Sequence, residues 1–341
     1  MLHFDSDYME GAHPEVMRRL CETNLEQTVG YGCDEYTRVA KTKIKEAIGL
    51  PDAEVHFLVG GTQTNATVID GLLRPHQGVL AAETGHINVH ESGAIEATGH
   101  KVLALPQHMG KVRAKEVEAY INDFYRDETY EHMVAPGMLY ISHPTEYGTL
   151  YSLAELEALS NVCRKANIPL YMDGARLGYA LASPATDITL KDIARLCDVF
   201  YIGGTKVGAL FGEAVVATRP GLLTHFFPLI KQHGALLAKG RLLGIQFDRL
   251  FTDNLYVEIA SHAIRQAMKL KQAFVSKGYR LHMDSYTNQQ FICMPNEQID
   301  RLMQHATFEL WGPRGEHETV VRFVTSWATT DEAINQLIEQ L

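Results

Sequence analysis

The sequence predicts an α/β protein whose mostly parallel sheet is covered by helices and followed by a smaller α+β C-terminal domain. From about residue 50 to residue 218, apolar strand-like runs alternate with helical patterns, an order typical of a parallel sheet. Two of the runs end in polar or glycine-rich tips, at Asp173 and at Gly203-Gly204, where open α/β sheets place their ligands. We predict three parts of the chain: an N-terminal arm at 1–14, a large domain at 15–245 and a small domain at 246–341.

The composition is that of a globular protein with no nucleic-acid or membrane partner. The 341 residues are 46% apolar and 21% charged, and the net charge of −10 comes without any basic patch that could bind a nucleic acid. The amino terminus is acidic, and no stretch approaches the roughly 20 apolar residues of a membrane span. The five cysteines are scattered and odd in number, which fits reduced thiols. We therefore expect a cytoplasmic protein without a structural zinc site.

Local signals place the elements of the large domain in order. Proline is favoured in the first turn of a helix, so Pro14 opens the first helix, on which Met17 and Leu20 share a face. Glycine ends helices, so Gly49 closes the second helix. Ser152 and three residues later Glu155 form a capping box before a helix at 153–166. A polar helix is predicted at 114–125, and apolar runs predict strands at 55–59, 79–82 and 138–142, strands that end at Asp173 and at Gly203, and a strand at 213–218.

The C-terminal part begins with a long helical pattern at 254–276 that ends before Gly278. A strand at 290–294, a helix at 297–308, a strand at 320–326 and a final helix opened by Thr330 or Asp331 follow. Arg322 interrupts the apolar run of the last strand. Such an arginine either faces solvent at a sheet edge or points into a site to bind a carboxylate through its bidentate fork.

Lys206 is the strongest candidate for a reactive residue. It follows the Gly203-Gly204 tip and is surrounded by small or apolar residues. Desolvation lowers the pKa of an amine and leaves it nucleophilic toward an aldehyde, as a Schiff-base lysine requires. The alternative is an ordinary lysine at a tight turn after a strand.

Asp173 closes the preceding strand, and Arg176 lies three residues further on. A carboxylate in this place could pair with the pyridinium nitrogen of pyridoxal 5'-phosphate and keep the ring protonated, so that it acts as an electron sink. The alternative is that Asp173 caps the next helix. Because Lys206 stands at the end of the following strand, we favour the cofactor interpretation.

The stretch Gly60-Gly61-Thr62 joins a strand to a helix and is typical of an anion site, because free N–H groups at a helix start favour phosphate. Thr62 could also be the N-cap of the helix, and the two roles are compatible. The stretch at 85–93 could bind a metal through His86, His90 and Glu91, but it has no HExxH pattern. The His86 imidazole could instead lie flat on a cofactor ring or be a core histidine.

Taken together, the stretches GGTQTNA, GHINVHESG, YMDGAR and GGTKVG resemble the threonine aldolase and β-eliminating lyase family of pyridoxal-phosphate enzymes, which have fold type I. The resemblance extends over nearly the whole chain, and its most specific part is the D-G-A-R tetrapeptide with the downstream lysine. It implies that Lys206 is the Schiff-base lysine, Asp173 the partner of the pyridine nitrogen, and His86 the residue that stacks on the ring. The cofactor-binding residues that it implies are Gly61, Thr62, His86, Asp173, Arg176, Thr205 and Lys206.

The same resemblance implies the substrate site. Ser6, Arg176 and Arg322 would hold the substrate carboxylate, and Tyr31 would enter the site from a partner subunit. The family forms homodimers or homotetramers with shared active sites, so we expect one of these assemblies. The chain departs from the common Ser-Lys-Gly pattern with Thr205-Lys206-Val207, which places it in a divergent branch. The basic connection at 231–241 is a candidate phosphate contact, also toward a neighbouring subunit, or else a solvated crossing.

The expected activity is retro-aldol cleavage of L-threonine, L-allo-threonine or related β-hydroxy-α-amino acids, which gives glycine and an aldehyde. The base that removes the β-hydroxyl proton could be His86, His132 or a bound water. A first alternative is β-elimination on the same cofactor, with a transaminase as a weaker variant. The remaining alternatives are a non-catalytic protein that binds pyridoxal phosphate and a metal hydrolase that uses His86, His90 and Glu91.

Overall fold

The computed structural model describes residues 1–341, and its strands and helices alternate through the first two thirds of the chain. The strands in chain order are β1 (Leu2–His3), β2 (Glu54–Leu58), β3 (Gln77–Ala82), β4 (Val102–Leu105), β5 (Ala135–Ser142), β6 (Leu170–Asp173), β7 (Val199–Gly203), β8 (Glu213–Ala217), β9 (Arg280–Met283), β10 (Gln289–Pro295), β11 (Ala306–Thr307), β12 (Glu309–Leu310) and β13 (Glu318–Val324).

The helices surround these strands, and a single 3₁₀ turn at Tyr130–His132 adds to them. In chain order they are α1 (Pro14–Glu22), α2 (Glu35–Ile48), α3 (Gly61–Leu72), α4 (His86–Val89), α5 (Ala94–Ala97), α6 (Ala114–Arg126), α7 (Leu153–Ala166), α8 (Leu177–Leu181), α9 (Leu190–Leu196), α10 (Phe226–Gln232), α11 (Arg241–Leu250), α12 (Leu255–Ser276), α13 (Asn296–Leu302) and α14 (Asp331–Gln340). None of them combines the length and the apolar character needed to cross a membrane.

A seven-stranded sheet with the order β2-β8-β7-β6-β5-β3-β4 forms the centre of the large domain. The neighbours from β4 to β7 are parallel, whereas β8 runs antiparallel to both β7 and β2. This confirms the predicted α/β class with a mostly parallel sheet. Since parallel strands end at the same edge, Asp173 and Gly203 lie side by side at the carboxyl edge. The antiparallel β8 brings its first residue, Glu213, opposite Gly203 at that edge.

The local signals for helix ends are confirmed. α1 has Pro14 at its first position, α2 ends at Gly49 with φ of 72°, and α7 carries the capping box of Ser152 and Glu155. Each signal acts within one turn of helix, so no tertiary contact is needed for it to operate. On α1, Val16 is the buried residue, Leu20 is half-buried and Met17 is exposed.

Two apolar layers cover the sheet. On one face α2, α7, α9 and α12 bury side chains such as Ile44, Leu156 and Ile193, and on the other face α3 and α10 bury Val68 and Phe226. Each fully buried aliphatic or aromatic side chain contributes roughly 1.5–3 kcal/mol of transfer free energy. The carboxyl edge is therefore supported by a rigid, doubly covered sheet.

The C-terminal part forms an antiparallel sheet with the order β12-β13-β10-β9. Its own core contains Phe274 and Phe323, and the N-terminal arm joins it, because Phe4 is buried there and β1 pairs with β11. The long α12 contributes to both cores, with Ile259 in the large one and Leu270 in the small one. The division into 1–14, 15–245 and 246–341 stays a proposal.

One predicted element is wrong. The helix expected at 297–308 ends at Leu302, because residues 306–307 and 309–310 become the short strands β11 and β12. Both strands are formed by long-range pairing, β11 with the arm and β12 with β13. Tertiary pairing therefore overrides the helical pattern of this segment.

Candidate active site

A cavity of about 190 Å³ opens at the carboxyl edge of the large sheet. Elements from distant parts of the chain line it: the start of α3, the start of α4, the ends of β5, β6 and β7, and the start of β8. The cavity brings together every residue predicted to bind the cofactor, namely Gly61, Thr62, His86, Asp173, Arg176, Thr205 and Lys206.

Asp173 lies at the inner wall of this cavity and is only 5% exposed. Its Oδ1 accepts a hydrogen bond from the Tyr201 hydroxyl at 2.5 Å, and its Oδ2 accepts from the Tyr140 hydroxyl at 2.7 Å and from Asn65 Nδ2 at 2.9 Å. Burial acts to raise the pKa of Asp173, but the neighbouring His86 and these hydrogen bonds outweigh it and hold the pKa below its ordinary value. Asp173 is thus kept as a carboxylate.

The alternative role of Asp173 as a helix cap is wrong. The N-cap of α8 is Arg176, three residues later, and Asp173 makes no bond to the helix start. Its only local bond is one that Oδ1 accepts from the backbone N–H of Ala175 at 3.0 Å. The side chain is therefore free to face the cavity.

Lys206 follows β7 through a turn that two glycines make possible. A Cβ atom on Gly203 would lie 2.2 Å from the carbonyl oxygen of Ala175, so only glycine allows β7 to approach the end of β6 this closely. The Tyr179 hydroxyl donates to the Lys206 carbonyl at 2.5 Å and anchors the turn. Burial, followed by the positive charge of Arg176, lowers the pKa of the Lys206 amine. The environment thus favours the neutral, nucleophilic amine.

His86 is the first residue of α4, and its imidazole is oriented by a buried carboxylate. Its Nδ1 lies 2.7 Å from Oε1 of Glu91, whose side chain is fully buried. The same oxygen accepts from Asn65 Nδ2 at 2.7 Å, and this amide nitrogen also donates to Asp173. Tyr171 donates to Asn65 Oδ1 at 2.8 Å and fixes the orientation of the amide. One hydrogen-bonded network therefore joins His86 to Asp173 and leaves Nε2 of His86 free to act in the cavity.

The metal alternative receives no support from this geometry. Glu91 hydrogen-bonds to His86 instead of converging with it on a common point, and the two imidazoles of His86 and His90 have ring centroids 5.7 Å apart. No group of three or more His, Cys, Asp or Glu side chains is arranged to hold a metal ion.

The start of α3 forms another wall of the cavity. The N-cap position is taken by Gly60, which has no side chain to cap the helix, so the interpretation of Thr62 as the N-cap is wrong. Gly61 and Thr62 lie in the first turn of this 12-residue helix and line the cavity. The backbone N–H groups of an uncapped first turn, together with the helix dipole, favour an anion such as phosphate.

A second cavity of about 250 Å³ continues outward from the first and shares His86, Glu146, Arg176 and Lys206 with it. Arg322 reaches this cavity from β13, and its side chain is 13% exposed, so it points into the site and not into solvent. The two arginines predicted to bind a carboxylate therefore meet in one place. The other residues around this cavity are Tyr8, His90, Glu309 and Trp311.

Both arginines already contact carboxylates of the chain. Arg176 donates from Nε and Nη2 to Asp7 at 2.7 Å and 3.0 Å. Arg322 forms an ion pair with Glu309 and donates from Nη1 to Gln289 Oε1 at 2.8 Å. No pattern in the sequence indicates these partners, because Asp7 and Glu309 are remote from their arginines along the chain.

Several predicted residues lie outside the two cavities. Ser6 is half-buried and lines neither of them, and Tyr31 lines a separate cavity with Lys231 Nζ 4.6 Å from its ring centroid. Arg241 donates to the carbonyl groups of Asn24 and Glu26. The roles of Ser6, Tyr31 and the connection at 231–241 stay predictions. His132 is also outside both cavities, exposed on the 3₁₀ turn after α6, and its role as a base stays a prediction.

Sequence reasoning misses two further acids of the site, the half-buried Glu146 and the buried Glu213. Glu146 accepts from the His86 backbone N–H at 3.0 Å and from Ser142 Oγ at 2.6 Å, and burial raises its pKa. Glu213 is 3% exposed, accepts from the Gly204 N–H at 3.0 Å, and burial raises its pKa to about 8. A charged residue that opens an otherwise apolar strand is the one sequence signal that could have indicated Glu213.

These residues fit pyridoxal 5'-phosphate. A carboxylate with a lowered pKa suits a pyridinium nitrogen, the uncapped helix start suits the phosphate, and the Lys206 amine without a hydrogen-bond partner suits the aldehyde. The fold and the site define a pyridoxal-phosphate-dependent enzyme of fold type I.

The chain belongs to the beta-eliminating lyase family, whose sequence profile matches residues 3–297. A threonine aldolase structure from Leishmania major is 43% identical with a TM-score of 0.96, and the match covers 99% of this chain and 98% of that chain. A low specificity L-threonine aldolase from Pseudomonas aeruginosa is 29% identical over an alignment of 347 positions that covers 99% of this chain and 96% of that protein. An aspartate aminotransferase from Thermus thermophilus, 15% identical with a TM-score of 0.72 over 100% of this chain and 90% of its own, shares the fold.

Proposed function

We propose that this protein is an aldolase that cleaves L-threonine, L-allo-threonine and related β-hydroxy-α-amino acids to glycine and an aldehyde. The full-length similarity to threonine aldolases from Leishmania major and Pseudomonas aeruginosa supports this reaction. The observation that carries this proposal is the position of His86. This residue lines both the first cavity and the outer cavity, and its Nδ1 is hydrogen-bonded to Glu91.

Three groups of the chain would hold the cofactor. The Lys206 amine would bind its aldehyde carbon, the Asp173 carboxylate its ring nitrogen, and the N–H groups at the start of α3 its phosphate. The bound cofactor would supply an electron sink for the bond that breaks at the substrate Cα. The negative charge of Asp173 would favour the protonated ring nitrogen that this chemistry needs.

The arginines orient the substrate. Arg176 and Arg322 bind its α-carboxylate in the outer cavity, and this contact decides which bond to Cα is aligned for cleavage. With the Cα–Cβ bond aligned, Nε2 of His86 accepts the proton of the β-hydroxyl while the bond breaks. Glu91 stabilises the imidazolium that forms, since its carboxylate accepts a hydrogen bond from the Nδ1–H group.

β-Elimination is the second candidate, and the description of the matched family favours it. It uses the same residues with the Cα–H bond aligned. Threonine would then yield 2-oxobutanoate and ammonia in place of glycine and acetaldehyde.

The assembly and the location belong to the same proposal. A homodimer or homotetramer would let residues such as Tyr31 reach a partner's site, and light scattering on the purified protein tests this. The five cysteines are free thiols, which supports the cytoplasmic location, and cell fractionation tests it.

Product analysis tests the activity. The protein loaded with pyridoxal phosphate is incubated with L-threonine and with L-allo-threonine, and glycine, acetaldehyde, 2-oxobutanoate and ammonia are quantified. Equal amounts of glycine and acetaldehyde support the aldolase, with Lys206→Ala as the inactive control. 2-Oxobutanoate with ammonia identifies the β-eliminating lyase instead.

A further inference from the structure

Glu309 forms an ion pair with Arg322, the arginine that binds the substrate carboxylate in the proposed function. β12 pairs with β13 so that Glu309 lies directly opposite Arg322, and the two side chains form an ion pair at the outer cavity. Residues opposite each other on antiparallel strands project to the same face. The carboxylate of Glu309 therefore stands where an incoming carboxylate would bind.

The two partners of this ion pair differ in how firmly they are held. The Arg322 side chain is 13% exposed, donates to the fully buried Gln289 and lies with its guanidinium carbon 5.2 Å from the Trp311 ring centroid. The Glu309 side chain is 43% exposed and makes no other hydrogen bond in the chain. The arginine is fixed in place, whereas the glutamate has open solvent into which it can move.

Arg322 also has a hydrogen-bond donor that Glu309 does not use. Its Nε is buried and has no hydrogen-bond partner. A buried donor without a partner is costly, and a planar carboxylate is the group that fits the fork of a guanidinium. A substrate carboxylate could satisfy this donor.

In the ion pair of Asp7 with Arg176, by contrast, the carboxylate is held as firmly as the arginine. Asp7 is 1% exposed, binds two nitrogens of Arg176 and also accepts from Asn288 Nδ2 at 2.8 Å. A carboxylate held on all sides without access to solvent is a permanent part of the site. The comparison separates a structural carboxylate, Asp7, from a displaceable one, Glu309.

We propose that Glu309 competes with the substrate for Arg322. In the free enzyme Glu309 neutralises the buried guanidinium, and it turns toward solvent when the substrate carboxylate takes its place. Ligands without a carboxylate cannot replace it, because they would leave the buried charge of Arg322 uncompensated. Glu309 thus determines specificity for α-carboxylates, an inference that rests on the proposed function.

Glu309→Gln tests this inference, because glutamine keeps the shape and removes the competing charge. A partly exposed ion pair has a modest strength, so we expect the Kd for glycine and the KM for L-threonine to fall roughly two- to fivefold. The value of kcat stays close to that of the wild type. Glu318→Gln is the control, since Glu318 forms an exposed ion pair with Arg280 of β9 in the same sheet and lies outside the site.

Propionate binding to the loaded enzyme, measured by calorimetry, separates this inference from the proposed function. Propionate carries a carboxylate without an amine, so it reports on the arginine even if threonine is not cleaved. Tighter propionate binding in Glu309→Gln, lost in the double variant with Arg322→Gln, supports the competition. Unchanged propionate and glycine affinities in Glu309→Gln, with threonine cleavage intact, would overturn it and leave the aldolase assignment standing.

Discussion

The imidazole Nδ1 of His86 lies 2.7 Å from Oε1 of Glu91, and through Asn65 this carboxylate is connected to Asp173. The residue proposed as the base and the residue proposed to bind the pyridine nitrogen therefore share one buried network. Each end of the network depends on the other for its orientation. The network can therefore be tested by substituting Glu91 and Tyr201, which the proposed mechanism assigns to neither substrate nor cofactor binding.

Glu91→Gln should lower kcat for threonine cleavage about 10- to 100-fold with little change in KM, because a neutral amide stabilises the imidazolium of His86 poorly. Steady-state kinetics with L-threonine measures this. The exposed Glu96→Gln on the neighbouring α5 is the control. A kcat equal to that of the wild type would show that Glu91 does not act through His86.

Tyr201→Phe should move the acid limb of the pH profile to higher pH. The Tyr201 hydroxyl donates to Asp173 and helps to keep the pKa of this carboxyl low. Without the hydrogen bond the pKa rises, so Asp173 takes up its proton, and activity is lost, at a higher pH than in the wild type. Profiles of kcat/KM against pH measure the shift, and superimposable acid limbs would contradict it.

Gly203→Ala should destabilise the fold by roughly 2–4 kcal/mol, because the new Cβ would overlap the carbonyl oxygen of Ala175. Urea denaturation measures the change in the free energy of unfolding. Gly60→Ala is the control, since Gly60 is extended at φ of −163° and a methyl group there would have no atom within 4 Å. Equal destabilisation by both substitutions would refute the argument from close approach.

Glu213→Gln should flatten the dependence of stability on pH. Burial raises the pKa of Glu213 to about 8, so the folded protein holds a proton there that the unfolded chain releases near its ordinary pKa. Stability therefore falls as the pH rises from about 4.5 toward 8, and the glutamine variant lacks this loss. Urea midpoints of both proteins between pH 5 and pH 9 test it. Parallel curves would show that Glu213 does not carry the proton.

The fold is predictable where the signals are local. The capping box at Ser152, the proline at 14 and the glycine at 49 act within single turns, and the alternation of strands with helices indicates the parallel sheet. The prediction of helix at 303–308 is wrong because this segment and the residues after it form strands that exist only through pairing with the arm and with β13. Such pairing leaves no periodic signal in the segment itself.

The site is predictable where its residues follow apolar runs or begin helices. Asp173 and Lys206 stand at tips of apolar runs, and the cavity brings both together with His86 and Arg176. His86 and Glu91 are close in sequence, but their side chains could equally bind a metal, and only the structure shows that they hydrogen-bond to each other. The ion pair of Arg322 with Glu309 depends on the pairing of β12 with β13, which the sequence does not indicate.

The visible absorption spectrum of the purified protein, recorded with pyridoxal phosphate before and after addition of glycine, tests the central claim most directly. We expect a yellow protein whose absorption gains a long-wavelength band with glycine, and a Lys206→Ala variant that lacks the lysine-bound form. A protein that stays colourless after the cofactor is supplied would contradict the assignment of Lys206 and Asp173 to pyridoxal phosphate and, with it, the proposed cleavage of β-hydroxy-α-amino acids.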